Sequence, residues 1–232
     1  MKLMIQFPTR ARETMFLDSF KLYVDNLSDK NEVYFNISCD IDDTVMNNET
    51  IINKIKSIYN NTNIIFNNNK NKIEAINAGI DNKDFDVILN ASDDMNPQVK
   101  NFDEDIRTGF EQHFPDYDGV LHFNDGLQKE NLNTLCILGR PYYERFGYIY
   151  HPDYHSLWCD NEFMEVSNAL NRAVYIDKMI IRHDHATGPG NKNSGWIDET
   201  YARAFVKDKR DRKVFQIRKS LGFPIEKVIK DD

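Results

Sequence analysis

Val87-Ile88-Leu89-Asn90-Ala91-Ser92-Asp93-Asp94 is the stretch whose reading decides the fold. Its apolar start suits a buried strand, and the run ends in two adjacent carboxylates. Such a strand sets negative charge at the rim of a sheet, which is costly unless a cation or a donor network meets it. In a parallel sheet the carboxyl ends of the strands form the ligand crevice. Two acids there read most economically as a seat for a divalent cation and a diphosphate group.

Upstream of that strand the chain alternates strand and helix signals. Lys2–Phe7 reads as a strand broken by Pro8-Thr9-Arg10, and Glu13–Leu27 places Phe16, Phe20, Tyr23, Val24 and Leu27 at helical spacing. Glu32–Cys39 is a second strand that runs into Asp40-Ile41-Asp42-Asp43, followed by a helix over Glu49–Tyr59 with an isoleucine face. Thr62–Phe66 is a third strand, and Lys72–Ala78 is a short helix closed by Gly79. Repeated βα units of this length predict an α/β fold: a mostly parallel sheet with helices on both faces, in a single domain over 1–232.

Downstream the alternation weakens. Val99–Phe114 reads as a helix, Val120–Phe123 and Leu135–Leu138 as strands, and Tyr142–Phe146 as a brief helix stopped by Gly147. Asn161–Leu170 is a further helix, and Ala173–Ile176 and Met179–Arg182 are short strands. The glycine-rich segment from His185 to Gly195 reads as a lid-like loop, and Ile197–Ser220 as a long terminal helix. The organisation expected is a first half over 1–95, a second over 96–183, a loop over 184–196 and a terminal helix and tail over 197–232.

Composition narrows the function classes. With 232 residues, 41% of them apolar, the chain can bury one sizeable core. A net charge of −8 argues against a nucleic-acid partner. No stretch is apolar enough for a transmembrane segment, and strand-like residues begin too early for a signal peptide. Three cysteines, Cys39, Cys136 and Cys159, lack metal-like spacing and suit a reduced, cytoplasmic protein.

Polar residues follow three of the strands: Thr9 and Arg10, then Asp40 and Asp42, then Asp93 and Asp94. Polar loops follow strands in any protein, but the topology brings these three ends to one rim. Asp94 is the better candidate for direct metal coordination, with Asp93 left for a ribose hydroxyl or a metal-bound water; an Asp N-cap for the helix after Pro97 accounts for one acid and not for both. Asp160 and Glu162 stand two positions apart at a helix start, so their side chains diverge and they do not serve one site together. In Arg182-His183-Asp184-His185, imidazole suits several divalent metals. Lys207, Lys209, Arg210, Arg212 and Lys213 fall among Asp208 and Asp211, a pattern of a solvated face, with an anionic membrane surface as the weaker reading.

Four stretches also carry a family resemblance. Phe7-Pro8-Thr9-Arg10 resembles a "PTxNR" opening, and Lys72-Ile73-Glu74-Ala75-Ile76-Asn77-Ala78-Gly79-Ile80 resembles a "KaxAlNxGi" helix. Ala91-Ser92-Asp93-Asp94 stands where a DXD-type metal motif falls, and Trp158-Cys159-Asp160-Asn161-Glu162-Phe163 resembles an acidic motif that supplies a base. In order and spacing they resemble the small, single-domain, nucleotide-sugar-dependent glycosyltransferases of GT-A fold.

That resemblance implies a nucleoside-diphosphate sugar donor, a UDP-sugar first among them, lying against Pro8, Thr9, Arg10, Asp40, Asp42, Lys72 and Asp93. It implies a divalent cofactor, Mn²⁺ or Mg²⁺, on Asp94 and His183, with His185 as second choice for the histidine, and Asp160 or Glu162 as the base of an inverting transfer to a glycan or lipid-linked acceptor. Asp42-Asp43 departs from the family's "DGS" continuation. Two rivals stand beside this reading: a non-catalytic nucleotide-sugar or glycan-binding module, and a sugar-phosphate nucleotidyltransferase. The second needs a glycine-rich loop after the first strand, and residues 7–12 contain no glycine. A dinucleotide-binding dehydrogenase is excluded because no GxGxxG follows that strand.

Overall fold

The computed structural model describes residues 1–81, 83–185, 199–223 and 225, and the expected alternation begins at its first strand. The first half comprises β1 (Lys2–Pro8), α1 (Glu13–Asp25), β2 (Glu32–Asp40), α2 (Glu49–Ile58), β3 (Thr62–Asn67), α3 (Lys72–Asn77) and β4 (Val87–Asn90). The second half adds β5 (Met95–Pro97), α4 (Phe102–His113), β6 (Val120–Phe123), β7 (Ile137–Gly139) and α5 (Arg140–Glu144). It ends with α6 (Cys159–Ala169), β8 (Ala173–Ile176), β9 (Ile181–His183) and α7 (Glu199–Ser220).

Seven strands form one sheet in the order β3-β2-β1-β4-β7-β6-β8. All neighbouring pairs are parallel except those of β7, which runs against both β4 and β6. Two reversals make β6 parallel to β4, so the carboxyl ends of β1, β2, β4 and β6 lie along one edge. β5 and β9 pair separately as an antiparallel ribbon.

The pleat of β1 divides the core into two layers. Leu3, Ile5 and Phe7 face the layer of Phe16 and Phe20 of α1, Ile51 and Ile55 of α2, and Ile106 and Phe110 of α4. Met4 faces the other layer, with Ile76 of α3, Tyr142 of α5, Phe163 of α6 and Phe215 of α7. Edge-to-face ring pairs such as Phe20–Phe35, 4.8 Å between centroids, tighten the first layer.

Gln6 also points to the second layer, where a buried amide chain satisfies it. Its Nε2 donates to the Ala78 carbonyl at 3.0 Å, its Oε1 accepts from Asn36 at 2.6 Å, and Asn36 accepts from Asn63 at 2.6 Å. This chain pins the end of α3 to the sheet. The next residue, Gly79, has φ +72°, and a Cβ there would lie 2.4 Å from Ile65 Cδ1. The positive φ is what demands the predicted glycine stop, since the terminal methyl of Ile65 can turn aside.

Where boundaries differ from the sequence expectation, a local cause is visible. The helix expected over Val99–Phe114 is Phe102–His113, because Asn101 at φ 60° starts it. The chain just before it is still tied to the ribbon, the Gln98 N–H donating to the Ile180 carbonyl at 2.8 Å. The Asp N-cap weighed for this helix is not formed; Asn101 holds that position. The strand expected over Leu135–Leu138 is Ile137–Gly139, and the brief helix after it starts two residues early, with Pro141 in its first turn. The lid-like loop lies, beyond His185, outside the described residues. Cys39, Cys136 and Cys159 are free and buried, and no helix among the described residues is long and apolar enough to cross a membrane.

Gly139 joins β7 to α5 against the backbone of Tyr117. A Cβ at 139 would sit 1.7 Å from the Tyr117 carbonyl oxygen, a contact only backbone movement relieves. Gly139→Ala should destabilise the protein by about 3 kcal/mol or more, read as a lowered urea midpoint at unchanged slope.

Candidate active site

β4 delivers Asp93 and Asp94 to the sheet edge, each only 8% exposed. Two local devices keep them there. The Arg12 guanidinium donates to Asp93 at 2.8 Å, and the Ser92 hydroxyl donates to Asp94. Burial drives Asp93 up to about 6 against the lowering pull of Arg12. Asp94 is also desolvated, yet hydrogen bonding and charge from His183, with help from Ser92, hold it well below the usual carboxylate range.

His183 reaches Asp94 through the β5–β9 ribbon, which sets Met95 opposite His183. The Asp184 N–H donates to the Asp94 carbonyl at 2.7 Å, and the His183 N–H donates to the Asp125 carbonyl at 2.9 Å. The imidazole stands between two carboxylates, Nε2 at 3.7 Å from Asp94 and Nδ1 at 3.8 Å from Asp125. Burial pulls its pKa down, and the two carboxylates more than offset that, holding it at about 9. With no cation bound, the imidazolium supplies the positive charge that this buried pair demands; a metal ion held by His183 would displace that proton and take over the charge. His185 follows, its ring 5.3 Å from that of His183.

A separate cluster sits at the ends of β1 and β2. Pro8 closes β1 opposite Ser38, and Thr9 donates its N–H to the Ser38 carbonyl at 3.0 Å. The Thr9 hydroxyl is buried with no hydrogen-bond partner among the described residues. Arg10 bridges Asp40 and Asp42, with two bonds to Asp42 at 2.7 and 3.0 Å, and Asn69 donates to Asp40 at 2.8 Å. Both acids predicted on the second strand are thus tied to the predicted arginine of the first.

Lys72, the exposed first residue of α3, lowers the pKa of Asp93, Asp94 and Asp160 by its charge. Asp160, in the first turn of α6, is half-buried and also feels His183; burial raises its pKa and Lys72 opposes the rise. Sequence positions 72, 93, 94, 160 and 183 therefore converge. Glu162 does not join them. It is 4% exposed and accepts from Arg218 at 2.7 and 2.8 Å and from the Tyr154 hydroxyl at 2.8 Å. The divergence expected from the two-residue spacing is present, and α7 decides which acid is sequestered. Arg218→Ala would leave Glu162 buried without its cation and should cost about 3 to 5 kcal/mol, whereas Glu162→Gln should cost less and leave any chemistry at Asp160 running. Thermal melts of both variants beside an activity assay check this.

Two residues were missed by the sequence reading. Arg12 has the clearer signal: counted residue by residue, the arginine of "PTxNR" falls on Arg12 when Pro8 and Thr9 are matched. Asp125 is 1% exposed and accepts from Leu127, Gln128 and Lys129 backbone N–H groups at 2.8, 2.7 and 3.0 Å. It follows β6, so the strand-end rule applied to the other strands also points to it.

The donor set suits a divalent cation with incomplete protein ligation. Two ligand atoms roughly 2.1 Å from one ion lie about 3 to 4 Å apart, and Asp94 and His183 are separated by 3.7 Å. Among the described residues no group of three or more His, Cys, Asp or Glu side chains could hold an ion alone. The remaining positions would fall to phosphate oxygens and water, as is usual for Mg²⁺ and Mn²⁺.

No family model matches the chain, and no curated protein matches it. Solved structures do resemble its fold. Residues 1–349 of S. aureus TarS in complex with UDP match at TM-score 0.62 and 15% identity, covering 78% of this chain and 60% of that one. The mannosyltransferase PcManGT from Pyrobaculum calidifontis, in complex with GDP-Man and Mn²⁺, matches at TM-score 0.60 and 14% identity, over 90% of this chain and 64% of that one. This chain thus spans less than two thirds of either. A CMP:2-keto-3-deoxy-manno-octonic acid synthetase complexed with CTP matches at TM-score 0.52 and 9% identity, over 92% of this chain and all of that one. The parallel half-sheet, the β7 reversal and these likenesses identify the architecture as the GT-A glycosyltransferase fold.

Proposed function

We propose that the chain transfers a sugar from a nucleoside-diphosphate sugar to an acceptor hydroxyl, with Asp160 as base and a divalent cation, Mn²⁺ or Mg²⁺, on Asp94 and His183. The observation that carries this is the meeting of Asp94 and His183, 3.7 Å apart, with Lys72 in electrostatic reach of Asp94 and of Asp160, and Asp160 in reach of His183. When bound, the cation would neutralise charge on the departing diphosphate.

The chain's own groups divide the remaining work. Arg10, Asp40 and Asp42 form a fixed polar edge for the nucleoside, beside the Thr9 hydroxyl with its open bonding capacity. Asp93, clamped by Arg12, offers its second oxygen toward a ribose hydroxyl. Lys72 adds positive charge opposite phosphate. Asp160 takes the proton from the acceptor hydroxyl; its raised pKa makes it a stronger base than an exposed carboxylate. Attack from the face opposite the diphosphate inverts the anomeric centre. A glycan or lipid-linked alcohol is the acceptor class, and UDP-sugars head the donors to try.

The likeness to the synthetase bound to CTP favours a second reading, a nucleotidyltransferase that joins a nucleoside triphosphate to a sugar. Product analysis separates them. Incubation with nucleoside-diphosphate sugars and Mn²⁺ should release nucleoside diphosphate, with faster release when a suitable acceptor is added. Pyrophosphate release from a nucleoside triphosphate and a sugar substrate, with no turnover of sugar nucleotides, would replace the proposal by its rival. Donor binding without any turnover would point to a non-catalytic module.

A further inference from the structure

We propose that the outer face of α7 is a docking surface for an anionic lipid bilayer. Val206, Arg210, Lys213, Ile217 and Leu221 recur at three- and four-residue spacing, which aligns them on one stripe of the helix and its C-terminal turn. Val206 is 81% exposed, Ile217 50% and Leu221 77%, three bare apolar side chains along the helix and its C-terminal turn. Lys209 and Lys213 are exposed beside them.

The inner face explains why the outer one is so basic. Asp211 is fully buried and accepts N–H bonds from Ser156 at 2.8 Å and Leu157 at 3.0 Å. Asp208 accepts from the Trp158 indole N–H at 2.9 Å. These are the two acids among the described side chains of α7, and both turn toward the body of the protein. Lys209 and Lys213 stand outside, and Arg212 is exposed over the Trp158 ring, 5.5 Å from its centroid. Arg210 turns back to pair with Asp211 at 2.7 Å and to donate to the Asp153 carbonyl at 2.8 Å. A chain of net charge −8 thus presents one local positive strip with apolar residues threaded through it.

That pairing of chemistries selects the occupant. Phosphate-rich headgroups meet the cations while the boundary below them takes up Val206, Ile217 and Leu221. A second copy on this face would set lysine against lysine, and nucleic acid would leave the apolar residues unused. The acidic remainder of the surface is repelled by the same bilayer and so fixes the orientation. This inference stands independently of the reaction assigned to the strand-end rim.

Cosedimentation with vesicles tests it, comparing phosphatidylcholine alone with phosphatidylcholine containing roughly a third phosphatidylglycerol. The protein should pellet with the anionic vesicles and stay in solution with the neutral ones, and added salt should release it. Lys209→Glu/Lys213→Glu should weaken the partition at least about tenfold. Ile217→Ser/Leu221→Ser should weaken it at low salt as well, with the far-ultraviolet circular dichroism of both variants unchanged. Absence of binding to anionic vesicles, or equal binding by parent and variants, would overturn the proposal. So would a self-associated parent that Ile217→Ser/Leu221→Ser renders monomeric, which would assign the face to a second copy.

Discussion

Asp160→Asn should leave metal-dependent donor binding intact and lower sugar transfer about 10²- to 10⁴-fold. The substitution keeps the shape at the start of α6 and removes only the capacity to accept the acceptor's proton. Binding survives because the groups assigned to the donor come from β1, β2, β4, α3 and β9. The pH profile supplies a second signature. Burial raises the Asp160 pKa above the ordinary carboxylate value of 3.8. A base is lost when protonated, so kcat/KM should fall as pH drops through that raised value, on a limb displaced upward from 3.8. Asp160→Asn should abolish this limb along with the rate. Unchanged transfer in Asp160→Asn, with loss in Glu162→Gln, would reverse the assignment of the two acids.

Arg12→Ala should be the most damaging substitution to stability among the rim residues. Arg12 and Asp93 side chains are 8% and 7% exposed, so removing the cation strands a carboxylate in the interior. Loss of one partner of a buried pair costs about 3 to 5 kcal/mol, or on the order of 10 °C in Tm for a chain of this length. The sign of its pH dependence follows from Asp93. Its folded-state pKa, about 6, already lies above the ordinary 3.8, and deleting Arg12 removes a lowering influence. The folded variant therefore binds the Asp93 proton more tightly than the unfolded chain does. Its deficit should shrink as pH falls below that raised pKa, grow as pH rises toward it, and level off above it. Urea unfolding of parent and variant at pH 5 and at pH 8 reads this out, and Asp93→Asn in the Arg12→Ala background should recover part of the loss.

Much of this architecture was legible in the chain because its early βα units are local. The runs at 2–7, 32–39, 62–66 and 87–90 each announce a strand, and the fold class follows from their repetition. The acids after β4 and the lysine at the start of α3 were readable for the same reason. What escaped the sequence is what depends on distant pairing. β5 has three residues, one of them Pro97, and exists because β9, more than eighty positions on, pairs with it. Without that ribbon, nothing local says that His183 reaches Asp94, a pairing only the family resemblance implied, or that Asp125 backs the imidazole. Arg12 was passed over because the match to the opening motif stops at Arg10, while the Arg12 guanidinium in fact turns back to Asp93. Spacing alone separated Asp160 from Glu162; only the packing of α7, through Arg218, assigns one of them to an internal ion pair.

The central claim is that a nucleoside-diphosphate sugar and a divalent cation bind together at the strand-end rim through Asp94. Isothermal titration of UDP-, GDP-, CDP- and dTDP-sugars, with and without Mn²⁺, into the parent protein and Asp94→Ala tests it most directly. The account predicts that the parent binds one nucleotide class with a marked gain from Mn²⁺. Asp94→Ala, folded by circular dichroism, should lose that gain. Metal-enhanced binding of equal strength in Asp94→Ala would contradict the account.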